Sequence, residues 1–515
     1  MKNKLVIFFL LVSGSLLNAQ KMPVAYTFGE KYNDRHKYSN LVAIADDGDG
    51  GSVMVRAYYQ GLVLKPKGYL IEHYNKNLEL VNEYNYKLKG LEFIDGYVKN
   101  GQLYLLFLNY NYTKGAYEYT AHRTSLASFG FTKETLLSIA SDPVDNALDK
   151  NYYNRNFSSG FTTSVLFDDV KSAFAITTHF KKKKTNQHYI YVFNAQLDKL
   201  MEHDFSAAVE EKNYAFENMA VSPSLNKVYL TGKAYFKKKR FSVQERKFQY
   251  ELVQLSGTGI KTQSFTDPGK YPEALTPLVY GDKLFCVGFY SDRKDNRYNG
   301  ITYFNVSPNN LAINSKKYNP FSKQFMDDKF GRGGGDDINN LVFKNVAITP
   351  NNDILFNAEE YFVTSSVQSN SSGGRLRVER FHHNDIVSVK LDVAGNLVWA
   401  RNINKSEVTQ NDGAYASYSS FVKGSDTYFF ISTASENPQL LGGERLIFKQ
   451  GLSRNRNVFL IRLNGEGKMD FEKIIDDKEA RLPLMVSQPL KDNRDEEMLF
   501  YAKRGSKKQL VKVSF

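Results

Sequence analysis

The chain has 515 residues, 14% of them aromatic, with 34 Tyr, 37 Phe, one Trp, one Cys and a formal charge of +13. That length is ample for a large buried core, and a single cysteine excludes an internal disulfide framework. A basic chain attracts anionic partners, and the export signal described next turns that preference from nucleic acid towards acidic glycans, lipid head groups and envelope proteins.

Lys2 and Lys4 precede an apolar run, LVIFFLLV from Leu5 to Val12, which gives way to small and polar residues ending Asn18-Ala19-Gln20. This is the pattern of a secretory signal peptide, too short in its apolar part to span a bilayer. Cleavage is expected after Ala19, which divides the chain into a leader, 1–19, and one domain, 20–515. Without Lys2 and Lys4 the charge is +11. No cysteine lies near the cleavage point to carry a lipid, and no later apolar run approaches the roughly 20 residues that a spanning helix needs. The expected mature protein is a monomer, periplasmic or extracellular and outer-membrane associated, with no transmembrane segment.

From Val24 onward, short alternating apolar and polar runs bounded by Gly, Asn, Asp and Pro dominate, the signature of an all-β chain. Helical periodicity is confined to connectors such as SAAVEEKNYAF, from Ser206 to Phe216. One hairpin type recurs as NLVAIADDGDGGSVMVRAYY from Asn40, TSVLFDDVKSAFAITTHF from Thr163, MAVSPSLNKVYLTGKAYF from Met219 and VAITPNNDILFNAEEYF from Val346. A second type follows it, as YLIEHYNKNLELVNEYNYKL from Tyr69, YIYVFNAQLDKLMEHDF from Tyr189 and VFLIRLNGEGKMDFEKI from Val458. Together they make a four-strand unit that repeats every roughly 50–75 residues, the spacing of a β-propeller. The expected architecture has eight four-stranded blades. The last is split: LPLMVSQPL, EEMLFYAK and QLVKVSF supply three strands and the N-terminal VAYTF (Val24 to Phe28) completes them, hiding edges that would otherwise be exposed. Seven blades are the alternative, because the second unit, around Ile94 to Ser141, is degenerate. Cys286, in the apolar run KLFCVGFY, reads as a buried hydrophobe. GRGGGDDINN (Gly331 to Asn340) and SNSSGGR (Ser369 to Arg375) read as surface loops.

The stretch KLDVAGNLVWARNI, with Asp392, Gly395 and the only tryptophan, Trp399, resembles the blade-closing hairpin of secreted bacterial β-propeller repeat proteins. It is also distantly similar to the tryptophan-docking hairpin of quinoprotein-type propellers. The resemblance implies the fold and no activity. A quinone cofactor is disfavoured, since one cysteine cannot form the vicinal disulfide of that family. An Asp and a Gly three residues apart suit a tight turn with one left-handed residue, and the Trp is expected to pack on the adjacent blade. Weaker copies of the hairpin lack the Trp.

The repeat assigns charges to faces. Turns between first and second strands are acidic: Asp46, Asp47 and Asp49; Asp168 and Asp169; Asp282; Asp353; Asp426; Asp495 to Glu497. Hairpin tips between second and third strands are basic. They hold Lys181, Lys182, Lys183 and Lys184; Lys237, Lys238, Lys239 and Arg240; Arg293 and Arg297; Arg377 and Arg380. These basic residues are the candidate binding set; the bland alternative is that they are solvated tips.

Chemical motifs are weak. DDGDGG (Asp46 to Gly51) lacks the spacing and terminal Glu of an EF-hand and reads as a turn. His382 and His383, adjacent on a strand, point to opposite faces and are poorly placed to share a metal with Asp385. Glu359-Glu360 could bring one carboxylate near the central channel. No catalytic residue, metal ligand or cofactor is assigned. The leading expectation is therefore a non-enzymatic scaffold that docks a cell-envelope protein complex or an acidic polysaccharide through the basic face. The alternative is a carbohydrate-active enzyme, a glycoside hydrolase or lyase, at the channel mouth. Convergent titratable groups in a pocket would favour the enzyme.

Overall fold

The computed structural model describes residues 22–515, except 61–64, 89, 141–160, 183–184, 211, 238–245, 293–296, 336–337, 370–374, 411–414, 443–444 and 452–455. It is an all-β propeller, as the periodicity requires. The described strands form eight sheets, antiparallel but for one pair in the sixth, taken in chain order as sheets 1 to 8. They cover residues 39–86, 92–140, 161–204, 212–265, 271–320, 341–409, 418–475 and 490–514. Sheet 6 carries two further strands, Gln439–Leu441 and Arg445–Lys449, the second running parallel to Leu397–Thr409. Sheet 8 is completed by N-terminal Ala25–Phe28, paired along Lys507–Ser514.

The alternation of side chains shows why the sheets form a ring. In the strand Gln102–Asn111, Leu103, Leu105 and Phe107 join Val53 and Ile71 of sheet 1, whereas Tyr104 and Leu106 join Phe174 and Ile176 of sheet 3. Both faces of the strand are buried, so it reads as a continuous apolar run. The same division recurs at each junction. Phe285 and Val287 pack with Phe356 and Val389, while Leu284 and Cys286 pack with Leu252. Met54 and Tyr74 of sheet 1 meet Tyr501 of sheet 8 and close the circle. First strands lie beside first strands around the axis: Ser39–Asp46 against Glu92–Lys99 on one side and Leu490–Asp492 on the other.

The hairpin between third and fourth strands explains the recurring sequence shape. Asp392 Oδ1 accepts from the backbone N–H of Ala394 at 2.9 Å and of Asn396 at 2.8 Å. Asn75, Asn194 and Asn464 open equivalent turns with the same pair of bonds. Three residues on, the backbone is left-handed: Leu78, Leu197, Gly395 and Gly467. Each turn leaves the carbonyl after its opening residue aimed at the preceding sheet, which supplies a donor. Tyr97 Oη reaches Ala195 O at 3.2 Å, Tyr303 Oη reaches Val393 O at 3.0 Å, and Trp399 Nε1 reaches Gly465 O at 3.1 Å. Gln254 does the same to Pro308 O at 2.7 Å, and Lys512 to Lys76 O at 3.3 Å. The single tryptophan is thus one version of a donor used at several junctions, which is why copies without it still work.

The helical expectation is corrected in two places. Among its described residues SAAVEEKNYAF contains only a 3₁₀ turn, Ser206–Val209, followed by the start of the strand Lys212–Val221. A helix forms instead at Lys323–Phe330, capped by Ser322, whose hydroxyl accepts from Phe325 N–H. It is held to sheet 6 by Asp328 to Arg401 at 2.6 Å and Lys329 to Asp385 at 2.7 Å. Among the described residues no helix is long and apolar enough to cross a membrane.

Candidate functional site at the channel mouth

The turns between first and second strands surround the axis at one end of the ring. They enclose a cavity of about 1300 Å³, lined by parts of sheets 1, 2, 3, 6, 7 and 8. Its ionisable lining consists of Asp46, Asp47, Asp49 and Asp169, with Lys99, Lys171, Lys344 and Lys491.

Several of these groups are committed to structure. Asp47 Oδ1 accepts from the N–H of Asp49 and of Gly51, both at 2.8 Å, and its other oxygen pairs with His73 Nε2 at 2.8 Å. Asp46 accepts from Gly48 N–H at 2.8 Å and pairs with Arg494 at 2.6 Å. DDGDGG is therefore a turn built by its own carboxylates. Lys171 pairs with Asp95 at 2.7 Å. Lys344 pairs with Glu359 at 3.1 Å.

Glu359 is fully buried and sits behind the wall rather than in the channel. Burial opposes its charge, but the His383 hydrogen bond and the Lys405 and Lys344 ammoniums outweigh it and hold the carboxyl well below its usual range. Ser417, at φ +68, donates to the same carboxylate at 2.7 Å. Glu360 turns away to Lys329 at 3.0 Å. His382 bonds Thr364 at 2.9 Å, whereas His383 faces Glu359 at 3.3 Å, so the adjacent histidines diverge as strand geometry demands.

The remaining groups are chemically available. Among the described residues, Asp49, Lys99, Asp169 and Lys491 form no ion pair within 4 Å. Asp169 (sheet 3) and Lys491 (sheet 8) come from distant parts of the ring and share the cavity. Both side chains are exposed to solvent at the cavity mouth. Enclosure, helped by neighbouring Asp168, raises the Asp169 carboxyl above its ordinary range. Enclosure likewise lowers the Lys491 ammonium below its ordinary range, opposed by Asp169. An acid moved up and a base moved down in one cavity is an acid–base arrangement.

The basic candidates lie elsewhere. Lys181 and Lys182 end the strand Ala173–Lys182, whose other end begins at the cavity turn. Ten residues of strand place those tips about 30 Å away, at the opposite end of the ring. Their side chains, with Lys183, Lys184, Lys238, Lys239, Arg240, Arg293 and the Arg377 side chain, lie outside the described residues. Lys237 bonds the carbonyls of Val209 and Glu210. Arg380 bonds Ser366 Oγ at 3.2 Å, and Arg297 is half-buried. Of the residues around the cavity, the acidic ones were legible as turn residues. Lys99 and Lys491 carry no local signal, because only ring closure brings them to the same space.

No protein-family profile matches the chain and no curated protein matches it. Solved structures share its fold at low similarity. Prolyl oligopeptidase B from Galerina marginata, bound to a 25mer macrocyclization substrate, is 8% identical with a TM-score of 0.38, over 92% of this chain and 55% of that one. The β-propeller domain of the Trilobed protease from Pyrococcus furiosus is 10% identical with a TM-score of 0.32, over 73% and 97%. A Bombyx mori GH32 β-fructofuranosidase is 12% identical with a TM-score of 0.26, over 86% and 93%. The chain thus spans about half the length of the prolyl oligopeptidase. The expected non-enzymatic scaffold with a basic docking face is corrected: the concave titratable cavity lies at the end of the ring away from the basic tips.

Proposed function

We propose that the protein is an exported carbohydrate-active enzyme, a glycoside hydrolase or lyase, acting at the channel mouth. The observation that carries this reading is the placement of Asp169 and Lys491 in one cavity with their proton affinities displaced in opposite directions. Acid–base cleavage needs a proton donor and a proton acceptor that coexist near neutral pH. The cavity, at about 1300 Å³, exceeds the usual range for a small-molecule pocket and suits an oligomeric ligand. Its lining of Asn100, Asn345, Asn493 and Ser420 beside the charges supplies hydrogen bonds for a polyhydroxylated chain.

The test is a survey of purified polysaccharides for new reducing ends, with Asp169→Asn and Lys491→Gln beside the wild type. Cleavage of at least one polymer, reduced about 10²–10⁴-fold in either variant, is the expected result. Cleavage that both variants leave untouched would move the site elsewhere, and no cleavage of any polymer would remove the reading. Export follows from the leader alone, and N-terminal sequencing of the secreted protein is expected to begin at Gln20.

A further inference from the structure

We infer that two copies of this chain pair through the long hairpin of sheet 6, edge to edge and antiparallel, about a two-fold axis at Ser365.

Second strands in the other seven sheets have eight to ten residues. The second strand of sheet 6, Ile354–Ser369, has 16, and its partner Arg375–Leu391 has 17. Ile354 follows the turn whose Pro350 lines the cavity, so the strand runs away from the cavity and its surplus stands out from the basic end of the ring. That surplus makes an arm about 20 Å long. The first strand, Leu341–Ile348, pairs only as far as Glu360, and Tyr361 N–H reaches Asn340 O at 2.9 Å. Beyond that point the arm strand keeps its pairing to Arg375–Leu391 on one side and, among the described residues, has no strand on the other.

Free edges of this kind recruit strands unless charge, proline or a bulge guards them. The outermost strands of sheets 1 to 5 and 7 are guarded by charge: they carry Glu83, Glu134, Glu202, Lys261, Lys317 and Asp470. The arm edge, YFVTSSVQS from Tyr361 to Ser369, has no charge, no proline and no glycine. Its Val363 and Val367 are 45% and 66% exposed.

The edge is complementary to itself, which points to a second copy as the occupant. Val363, Ser365 and Val367 share one face of the strand. Antiparallel pairing centred on Ser365 sets Val363 against the second copy's Val367 on both sides of the axis, and Ser365 against Ser365. On the opposite face Thr364 meets the second copy's Ser366. Apolar meets apolar and hydroxyl meets hydroxyl, pairs that favour strand association, and the pairing strands bring no charge to charge. The contact is isologous and closes as a dimer. Tyr361 lies opposite the second copy's Ser369, which holds the ring ends about 25 Å apart. That is about three Debye lengths at physiological salt, so repulsion between the two basic ends is screened. A single strand pair of this length covers far less than a standard protein interface, so the dimer is weak and forms as concentration rises.

The experiment is sedimentation velocity of the full protein from about 1 to about 500 µM, the range in which weak interfaces form. The expected result is a shift from monomer to dimer. Val363→Lys with Val367→Lys, both at exposed positions, is expected to abolish the dimer and leave the melting temperature unchanged. Ser365→Cys tests the register without adding charge. The natural cysteine, Cys286, is fully buried, so a disulfide dimer formed on mild oxidation reports position 365. Val170→Cys, at a position 81% exposed beside the cavity, is the control and is expected to stay monomeric. A monomer at every concentration would overturn self-pairing and leave the edge to a strand of another protein. A dimer that the lysine pair leaves intact would overturn the assignment to this edge. A dimer lost in the lysine pair, with no more cross-linking through Ser365→Cys than through Val170→Cys, would overturn the two-fold register.

Discussion

Leu78 and Leu197 hold left-handed backbone that an L-residue adopts at a cost of about 1 kcal/mol. Each is almost fully buried in the cluster it shares with a neighbouring sheet, worth about 1.5–3 kcal/mol, so packing outweighs the strain. Where Trp399 and Tyr303 need the space, the position is glycine. A Cβ on Gly467 would stand 2.7 Å from Trp399 Cγ, and one on Gly395 would enter the Tyr303 ring. Gly467→Ala is therefore expected to destabilise the fold by about 2–4 kcal/mol, measured by urea unfolding. An unchanged midpoint would show that the Trp399 contact is dispensable. Acid sensitivity also belongs to single residues. Burial holds His188 at about 3 and His122 at about 4, below the ordinary value of 6.5. The unfolded chain therefore binds these protons first, so their contribution is complete above about pH 6.5 and is lost as pH falls towards the folded values. His188→Phe is expected to recover roughly 2–4 kcal/mol of the stability lost at about pH 4, seen as a flatter melting temperature against pH. Both nitrogens of His188 are buried without partners, so the substitution removes no hydrogen bond.

At the scale of elements, the N-terminal segment does two jobs. Ala25–Phe28 covers the edge of sheet 8, and Asp34 inserts beneath it. Asp34 pairs with Arg56 at 2.7 Å and with Lys503, and Arg56 also pairs with Glu72 at 2.8 Å. All four side chains are buried, so each charge depends on the others for solvation. Burial opposes ionisation of Asp34, but the Arg56 and Lys503 contacts prevail and keep its carboxyl below the ordinary range. Asp34→Asn is expected to cost about 3–5 kcal/mol and to lower the thermal midpoint. Asp34→Asn combined with Lys503→Met should recover part of it. No recovery would show that the ammonium is not the stranded charge. The N-terminal strand was legible because VAYTF is a lone apolar run beside a three-strand remainder. The Asp34 network was not, since nothing local relates Asp34 to Arg56, Glu72 and Lys503.

At the scale of the whole molecule, the ring separates two charged ends. The acidic turns border the cavity, and the basic tips lie a strand's length away. Lys237→Ala with Arg380→Ala is expected to leave turnover unchanged within twofold, because neither residue faces the cavity. A matched loss in kcat would place the site at the basic end. The repeat spacing made the ring and the faces legible. It could not rank the faces: basic clusters stand out in sequence, whereas the cavity joins the legible turn acids to Lys99, Lys344 and Lys491, each unremarkable in its own segment.

The sequence by itself determined the propeller, because alternating burial with both faces apolar forces sheets to stack on sheets and the Asx turns set the repeat. It also determined where the turn acids stand and that Trp399 docks on a neighbouring sheet. Only the tertiary structure decided which charges share the cavity. Enclosure shifts proton affinity, and enclosure at the axis arises from ring closure, which brings Asp169 and Lys491 together across more than three hundred residues.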